Sequence, residues 1–289
     1  MKFRGILYTL SLLVLASGLK SDPRPWWEVS YGLDIDYPRM GSYKWKIGSE
    51  KIIIKGRGVN RKSFYTVDLA LGDTTIYLDS SVFSFEGRHV PVIKWNFSKD
   101  GSLMLIQSQS ERIWRHSNMG TYYLLNIEQR SLIRVGENNE RLRNVKISPN
   151  NKWVSYVRED NNLYAYNISR DREKKLTRTG SETVLNGHYG WVYEEELSGY
   201  DGYRWSPDGK YIAYVEEDQS EVGRFNMIDK LKLYPDIQEV FYPKAGSTNP
   251  KIRIAVINVQ GGGKKFIKID SEADVYYPWF VWYDKEQLW

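Results

Sequence analysis

The sequence predicts an all-β fold organised as the blades of a β-propeller. Its 289 residues include 22 Tyr and 11 Trp, with frequent Val, Ile and Thr, and such aromatic and β-branched side chains favour strands because they suit a half-buried pleated surface. A similar eight-residue segment recurs at intervals near fifty residues, whereas helical periodicity is weak throughout. A period near fifty with several strands per unit is typical of propeller blades.

Each repeat consists of an aromatic or aliphatic residue, a polar turn and the start of a hydrophobic strand. The Asp-Gly and Asn-Asn pairs in the turns tolerate the positive φ of a tight hairpin, and Ser-Pro opens the turn by fixing φ. Strand-like alternation follows within the units, as in Leu163–Ile168 and Ile252–Ile257. The five repeats are Trp45–Ile52, Phe97–Met104, Ile147–Val154, Trp205–Ile212 and Trp282–Trp289.

The spacing of the repeats predicts two insertions. Successive repeats begin 52, 50, 58 and 77 residues apart, and residues added to a blade leave its sheet as loops or short helices. One insertion carries the acidic run Glu194–Glu196, and the other spans Glu216–Pro250. The chain stops inside the fifth unit at Trp289, so we expect about four blades and the start of a fifth, roughly half of a closed ring.

The N-terminal segment differs from the rest of the chain. Lys2 and Arg4 precede the apolar run Ile6–Ala16, and small residues follow at cleavage spacing. This pattern predicts a cleaved signal peptide over residues 1–18, a propeller domain over residues 19–289, and a secreted or periplasmic location. A membrane anchor formed by an uncleaved signal is one alternative, although the apolar run is shorter than the ~20 residues that span a bilayer; a buried N-terminal helix is another.

Composition excludes several classes of site and partner. The chain has no Cys, so disulfides, thiolate metal sites and a cysteine nucleophile are excluded, and export without disulfides suits a bacterial periplasm. The formal charge of +5 falls to +3 when Lys2 and Arg4 leave with the signal, and acidic and basic residues are interspersed. We therefore expect no nucleic-acid partner, since no basic stripe alternates with aromatic residues.

The most informative segment is Gly190–Glu196, in which three adjacent Glu follow an aromatic-rich run. Neighbouring carboxylates are costly to desolvate without a cation, so the run is either plainly exposed or part of a site for a positive group. Both interpretations stay open on the residues alone, and an arbitrary run of this kind is more often a solvated loop. The surrounding Trp191, Tyr193 and Trp205 favour the second interpretation, an amine-binding pocket.

Three motifs, in this order, give the chain a resemblance to a known family. They are Trp114–Ser117, Trp191–Glu196 and Tyr242–Gly246, the last followed by Asn249-Pro250. They resemble the N-terminal propeller domain of the dipeptidyl peptidase IV family, a group of prolyl oligopeptidase-type serine peptidases, from about Trp45 to Trp289. In that family an eight-bladed propeller is followed by an α/β-hydrolase domain with the catalytic Ser, Asp and His.

The resemblance extends to the recognition domain and not to the catalytic one. This sequence contains no Gly-x-Ser-x-Gly nucleophile elbow. We therefore assign no catalytic residue, expect the hydrolase domain to be a missing partner of this chain, and expect no hydrolysis by the chain alone.

The resemblance implies a substrate-binding role for three residues. Glu195 and Glu196 match family carboxylates that hold the free α-amino group of a peptide, and Arg115 matches an Arg that contacts the substrate carbonyl near its N-terminus. An ammonium group offers three donors to such carboxylates, and a nearby guanidinium offsets the repulsion between them. Glu194 has no substrate role in the family, so we expect it to be structural or exposed. The alternative for Arg115 is a surface salt bridge on a strand.

We therefore expect the substrate-recognition segment of an exopeptidase that releases N-terminal dipeptides, binding peptide N-termini without a cofactor or a metal. His89, His116 and His188 lack a partnered Ser or metal-ligand spacing and are interpreted as packing or hydrogen-bonding residues. The alternative is a non-catalytic, stand-alone propeller for protein–protein contact, whose open edges require self-association into a homo-oligomer. A sugar- or metal-binding propeller enzyme is disfavoured, because no carboxylate/His constellation stands out beyond the Glu run.

Overall fold

The computed structural model of the chain describes residues 43–56, 62–136, 140–229, 231, 233–269 and 275–289. These residues belong to a unit that runs from Tyr43 to Trp289. The signal peptide expected over residues 1–18 lies outside the described residues. Within the described ranges, no helix has both the length and the apolar character needed to cross a membrane.

Four antiparallel sheets contain most of the described strands. The first sheet is formed by β1 (Tyr43–Trp45), β2 (Lys51–Lys55), β3 (Phe64–Asp68) and β4 (Thr74–Leu78). A 3-10 turn (Ser80–Val82) and a small hairpin follow, composed of β5 (Ser84–Phe85) and β6 (Arg88–His89). The second sheet and the hairpin inserted in it are formed by β7 (Lys94–Phe97), β8 (Leu103–Gln107), β9 (Glu111–Arg112), β10 (Asn118–Met119), β11 (Tyr122–Asn126) and β12 (Ser131–Val135).

The third and fourth sheets follow in the chain and are also antiparallel. The third is formed by β13 (Arg143–Ile147), β14 (Trp153–Val157), β15 (Leu163–Asn167) and β16 (Arg172–Lys175). The fourth, with its insertions, contains β17 (Val184–Asn186), helix α1 (Trp191–Leu197), β18 (Tyr203–Trp205), β19 (Tyr211–Asp218), β20 (Arg224–Asp229), β21 (Asp236–Phe241), β22 (Lys251–Asn258) and β23 (Lys265–Phe266). Successive antiparallel sheets, three with four strands and one with five, confirm the predicted all-β, blade-based fold.

The repeated segments form the hairpin that opens each sheet. In all four sheets the residue that begins the repeat pairs with the residue that closes it, across the polar turn. The pairs are Trp45–Ile52, Phe97–Met104, Ile147–Val154 and Trp205–Ile212. The fifth segment also forms a hairpin, in which Trp282 pairs with Leu288 and the backbone groups of Val281 and Trp289 bond to each other.

The turn chemistry is the same in the second, third and fourth sheets. Ser98 donates its hydroxyl to Asp100 Oδ1 at 2.7 Å and accepts the amide of Leu103 at 3.0 Å. The same hydroxyl contact recurs as Ser148–Asn150 and Ser206–Asp208. The next residue of each turn has positive φ, with 78° at Gly101, 57° at Asn151 and 67° at Gly209. The Asp-Gly and Asn-Asn pairs thus adopt the conformation that the sequence predicted.

Apolar layers between neighbouring sheets form the core. In β8, Met104 and Ile106 pack with the first sheet, while Leu103 and Leu105 pack with the third. This follows from the period of a strand, in which successive side chains point to opposite faces. Every residue of β8 and of β14 is buried as a result. A third layer joins the third and fourth sheets around residues such as Trp153.

Two insertions leave the fourth sheet. Strands β17 and β18 both pair with β19, and α1 lies in the chain between them, so the insertion with the Glu run is a short helix as expected. The predicted boundary of the second insertion, Glu216, is wrong: Glu216–Asp218 continue β19 and pair with both β17 and β22. Glu216 stays in the sheet because Arg253 and Lys264 neutralise its buried carboxylate. The insertion therefore begins at Gln219 and contains the β20–β21 hairpin.

Candidate functional site

Helix α1 lies in the chain between β17 and β18, the two short strands that both pair with β19. Its N-cap is Gly190, whose amide donates to Oε2 of Glu217 at 2.9 Å. A Cβ at position 190 would lie 2.6 Å from Glu217 Oε1, so any other residue there would require this buried side chain to shift. The seven-residue helix ends at Ser198, which is left-handed with φ of 55°. Such a short helix depends on tertiary packing, which Tyr193 supplies by stacking on Tyr189 with ring centroids 4.9 Å apart.

The three glutamates of α1 point in different directions, because successive residues of an α-helix are about 100° apart. Glu194 is buried, with 1% exposure, whereas the Glu195 side chain is 15% exposed and Glu196 is exposed. Within the described part of the chain Glu196 has no hydrogen bond or ion pair, so its carboxylate faces solvent. Only the second and third glutamates are therefore placed to meet a ligand.

Arg115 lies on a hairpin inserted in the second sheet. Strands β9 and β10 pair there, and the Trp-Arg-His-Ser motif forms the turn between them. The Arg115 side chain is 63% exposed, and its Nε lies 2.7 Å from Oε2 of Glu195. The structure thus brings together Arg115 and Glu195, which are far apart in sequence. Glu196 follows Glu195 on α1, and no hydrogen bond or ion pair between described residues joins it to Arg115.

Glu194 is structural, one of its two expected outcomes. Its Oε1 accepts the backbone amide of His116 at 2.6 Å and that of Ser117 at 2.7 Å. Both amides belong to the turn that carries Arg115. The acidic run therefore contacts the Arg115 hairpin twice, once through the Glu195 side chain and once through this buried carboxylate.

A buried cation, Arg143, accompanies Glu194. Burial lowers the pKa of Arg143 to about 10, and the charge of Glu194 acts in the opposite direction. Arg143 Nη1 lies 2.8 Å from His188 Nδ1, which is also 3.1 Å from the carbonyl oxygen of Tyr189, and His188 Nε2 lies 2.9 Å from Asn161 Oδ1. Burial, and then Arg143, hold the pKa of His188 well below its ordinary value. His188 is therefore a neutral hydrogen-bonding residue, as predicted.

Aromatic rings border the helix, but not all of those expected. Trp191 packs on Tyr242 of the third motif with ring centroids 4.9 Å apart, and His116 stacks on Tyr200 at 5.8 Å. The expectation for Trp205 is wrong. Its Nε1 donates to Ser155 Oγ of the third sheet at 2.7 Å, because strand alternation in β18 points the indole toward that sheet.

Sequence reasoning missed Glu217, which lies beneath the start of α1. It is fully buried at 0% exposure, and burial raises its pKa to about 8 while the Gly190 amide opposes this weakly. Its Oε1 has no hydrogen-bond partner among the described residues. A signal was present in the sequence: two adjacent acids, Glu216 and Glu217, interrupt an apolar strand, so the period of two directs them to opposite faces.

The donor set offers no metal centre in the described ranges. No group of three or more His, Asp or Glu side chains there is arranged to hold a metal ion. The chemistry that the arrangement offers is electrostatic, with an ion pair between a guanidinium and a half-buried carboxylate, and an exposed carboxylate on the next residue of α1.

Fold and site together define a β-propeller-type domain with a charged site built on insertions from two of its sheets. Residues 98–289 match the family model described as the dipeptidyl peptidase IV (DPP IV) N-terminal region. The chain belongs to this family.

Relatives and a solved structure agree with this assignment. Dipeptidyl aminopeptidase B of Saccharomyces cerevisiae is 34% identical over 194 residues, 65% of this chain and 23% of the relative. Probable dipeptidyl-aminopeptidase B of Phaeosphaeria nodorum is 27% identical over 263 residues, 82% of this chain and 29% of the relative. The crystal structure of Porphyromonas gingivalis dipeptidyl peptidase 4 aligns with a TM-score of 0.75 and 25% identity, over 85% of this chain and 35% of that one. The chain spans about a quarter of the length of the curated relatives it matches.

Proposed function

We propose that this chain is the substrate-recognition segment of a dipeptidyl peptidase IV-like serine exopeptidase, and that Glu195 and Glu196 bind the α-amino group of a peptide. The observation that carries the proposal is the ion pair between Arg115 and Glu195, whose helix presents the exposed carboxylate of Glu196 at the next residue. The curated relatives that support it are named dipeptidyl aminopeptidases.

The chemistry suits an ammonium ligand. A peptide α-ammonium has three N–H donors and no acceptor. Arg115 Nε pairs with Oε2 of Glu195, and in this proposal Oε1 of Glu195 and both oxygens of Glu196 are the acceptors for the ligand. Each hydrogen bond to a charged group contributes about 1.5–3 kcal/mol. An acetylated N-terminus has lost both the charge and two of the donors, which makes the site selective for free N-termini.

Arg115 has two roles in this proposal. Its guanidinium is a fork of donors that suits a peptide carbonyl oxygen near the N-terminus of the ligand. With no ligand bound, the same group neutralises Glu195 and so limits the repulsion between Glu195 and Glu196. Its high exposure leaves the remaining N–H groups accessible to a peptide.

A pair of matched peptides tests the proposal. Isothermal titration of the 289-residue chain compares Ala-Pro-Ala with its N-acetyl form. We expect the free amine to bind at least about tenfold more tightly, since tenfold in Kd corresponds to about 1.4 kcal/mol, slightly less than the contribution of one charged hydrogen bond. Glu195→Gln and Glu196→Gln should each reduce this preference by a similar factor.

The control variant is Glu221→Gln, which removes an exposed carboxylate that is paired with Lys251 and not with Arg115. It should bind both peptides as the wild type does. Equal affinity for the free and the acetylated peptide, or no binding of either, would contradict the proposed amine site.

We further propose that residues 1–18 direct export to a secreted or periplasmic location and are then removed. Membrane anchoring by an uncleaved signal is the alternative. N-terminal sequencing of the chain recovered from its native location decides between them. A start near residue 19 supports cleavage, and retention of Met1 supports the anchor.

Self-association of a stand-alone propeller is the second candidate function, favoured by the surface of the β20–β21 hairpin. Ile228 and Ile237 are directly opposite each other there and are 52% and 62% exposed. Sedimentation velocity of the wild type and of Ile228→Lys tests it. A dimer that the variant abolishes favours this function, whereas monomers at all concentrations eliminate it.

A further inference from the structure

Glu194 has no role in the proposed contact with a peptide, although it is the most buried of the three neighbouring glutamates. Its Oε1 accepts the amides of His116 and Ser117 from the other insertion of the site. Both bonds are short for N–H···O contacts and involve a charged acceptor, which makes them stronger than ordinary backbone bonds. One buried oxygen thus joins α1 to the backbone of the Arg115 turn.

The same turn is held from its other side by Arg112. Its Nε donates to the carbonyl of Trp114 at 2.8 Å, and its Nη2 donates to the carbonyl of Arg115 at 3.2 Å. The peptide group after Arg115 is therefore held at both ends, at its oxygen by Arg112 and at its His116 nitrogen by Glu194. Because a peptide group is planar, contacts on both peptide groups that flank Arg115 restrict its φ and ψ.

The position of Glu194 is itself fixed by charge. A buried carboxylate is strongly unfavourable without a nearby cation or donors. Glu194 has both, since two amides donate to it and the charge of buried Arg143 interacts favourably with it. Arg143 in turn contacts His188. The carboxylate is therefore part of a packed network and not a solvated side chain that happens to face inward.

We propose that Glu194 is the positioning residue of the amine site: it fixes the backbone turn of Arg115 against α1, so that Arg115 and Glu195 are aligned before a ligand binds. This inference rests on the proposed amine-binding function. The three glutamates then have separate tasks, because Glu194 holds the turn, Glu195 holds the Arg115 side chain and Glu196 faces the ligand. A displacement of order 1 Å in a positioning group can reduce activity by up to about a hundredfold. For peptide affinity, which depends on alignment less steeply than a reaction rate does, we expect the loss of Glu194 to weaken binding by about tenfold.

Amide hydrogen exchange provides the first test and needs no ligand. In the wild type the amides of His116 and Ser117 should be protected to a degree similar to the α1 amide of Glu194, which bonds to Gly190. Glu194→Gln should preserve protection, because both bonds use one oxygen that the amide side chain retains. Glu194→Leu should abolish it. Exchange of both wild-type amides at the rate of an unstructured peptide overturns the inference without any variant.

Peptide affinity provides the second test. Glu194→Leu should bind Ala-Pro-Ala about tenfold more weakly than the wild type, while Glu194→Gln restores most of the affinity. The matched control is Glu216→Gln, an equally buried glutamate of the same blade that contacts Thr179, Arg253 and Lys264 and not the Arg115 turn. It should change stability but neither the exchange of the two amides nor the affinity.

The outcomes separate this inference from the proposed function. If the wild type binds no peptide, the amine site fails, and the exchange data alone decide whether Glu194 holds the turn. If Glu194→Leu loses protection yet binds Ala-Pro-Ala as the wild type does, the positioning role is overturned while the amine site stands. If Glu194→Leu does not fold, retained protection and affinity in Glu194→Gln support the inference, and their loss overturns it.

Discussion

Replacing Glu217 with Gln should make the stability of this protein less dependent on pH. The carboxyl group is completely buried and accepts the Gly190 amide at 2.9 Å. Burial raises its pKa to about 8, against an ordinary value of 4.5. In the unfolded chain the group is exposed to water and titrates near that ordinary value.

The sign and size of the effect follow from these two values. Between pH 4.5 and pH 8 the folded protein retains the proton and the unfolded chain releases it, so the free energy of unfolding falls as the pH rises. One pH unit corresponds to about 1.4 kcal/mol, so the change from pH 5 to pH 7 removes about 3 kcal/mol. The stabilising contribution of the protonated Glu217 carboxyl group is fully present below pH 4.5 and is lost by about pH 8. Gln is neutral at every pH and keeps an oxygen for the Gly190 amide, so the variant lacks this slope.

Urea unfolding at pH 5, 6 and 7 measures the prediction. The stability of Glu217→Gln relative to the wild type should increase by about 1.4 kcal/mol per pH unit. Glu216→Gln, at the neighbouring position of the same strand, is the control. Burial raises the pKa of Glu216, but Lys264, Thr179 and Arg253 together bring it below its ordinary value. The contribution of ionised Glu216 to the free energy of unfolding is therefore constant between pH 5 and pH 7, above its unfolded pKa. It is lost only as the pH falls through the lower pKa of the folded protein.

A difference between Glu217→Gln and the wild type that stays the same at all three pH values would refute this reasoning. It would mean that the carboxyl group is already ionised in the folded protein at pH 5. The raised pKa depends on the complete burial of Glu217 beneath Gly190, so that result would also place water at the start of α1.

Three further substitutions probe the scaffold, each measured by urea unfolding. Tyr203→Phe removes a fully buried hydroxyl that lies 3.0 Å from both the hydroxyl and the carbonyl oxygen of Ser155. It should lower the free energy of unfolding by about 2 kcal/mol. An unchanged midpoint of urea unfolding would show that the hydroxyl is dispensable. Gly190→Ala places a Cβ 2.6 Å from the side-chain oxygens of Glu217 and Gln219 and should lower the free energy of unfolding by about 1–3 kcal/mol. Gly223→Ala, whose Cβ would have no atom within 4 Å, should have little effect. Equal effects of the two substitutions would contradict the steric argument. Asp208→Ala removes the acceptor of one hydroxyl and one amide in its turn and should cost about 1–2 kcal/mol, a loss that Asp208→Asn should largely avoid because Asn150 occupies the same position in the third sheet.

The sequence by itself determined the repeating part of this fold. The turns that open the four sheets, such as the one between Trp45 and Ile52, were predictable because a hairpin joins residues close together in the chain. The positive φ at Gly101 and Gly209 was predictable for the same reason. The motifs also located Arg115, Glu195 and the insertion that carries α1, since these are local patterns of residues.

Only the tertiary structure decided how the site is divided among its residues. The family resemblance gave Glu194 no substrate role but left open whether it is structural or exposed. Its burial, in contrast to the exposure of Glu196, arises from the direction that α1 takes against the Arg115 hairpin. Glu216 and Glu217 likewise differ only in what packs against each face of β19, two cations for the first and the start of α1 for the second. Local patterns specify period and turn type, whereas burial and partners depend on which distant segments the packed sheets bring together.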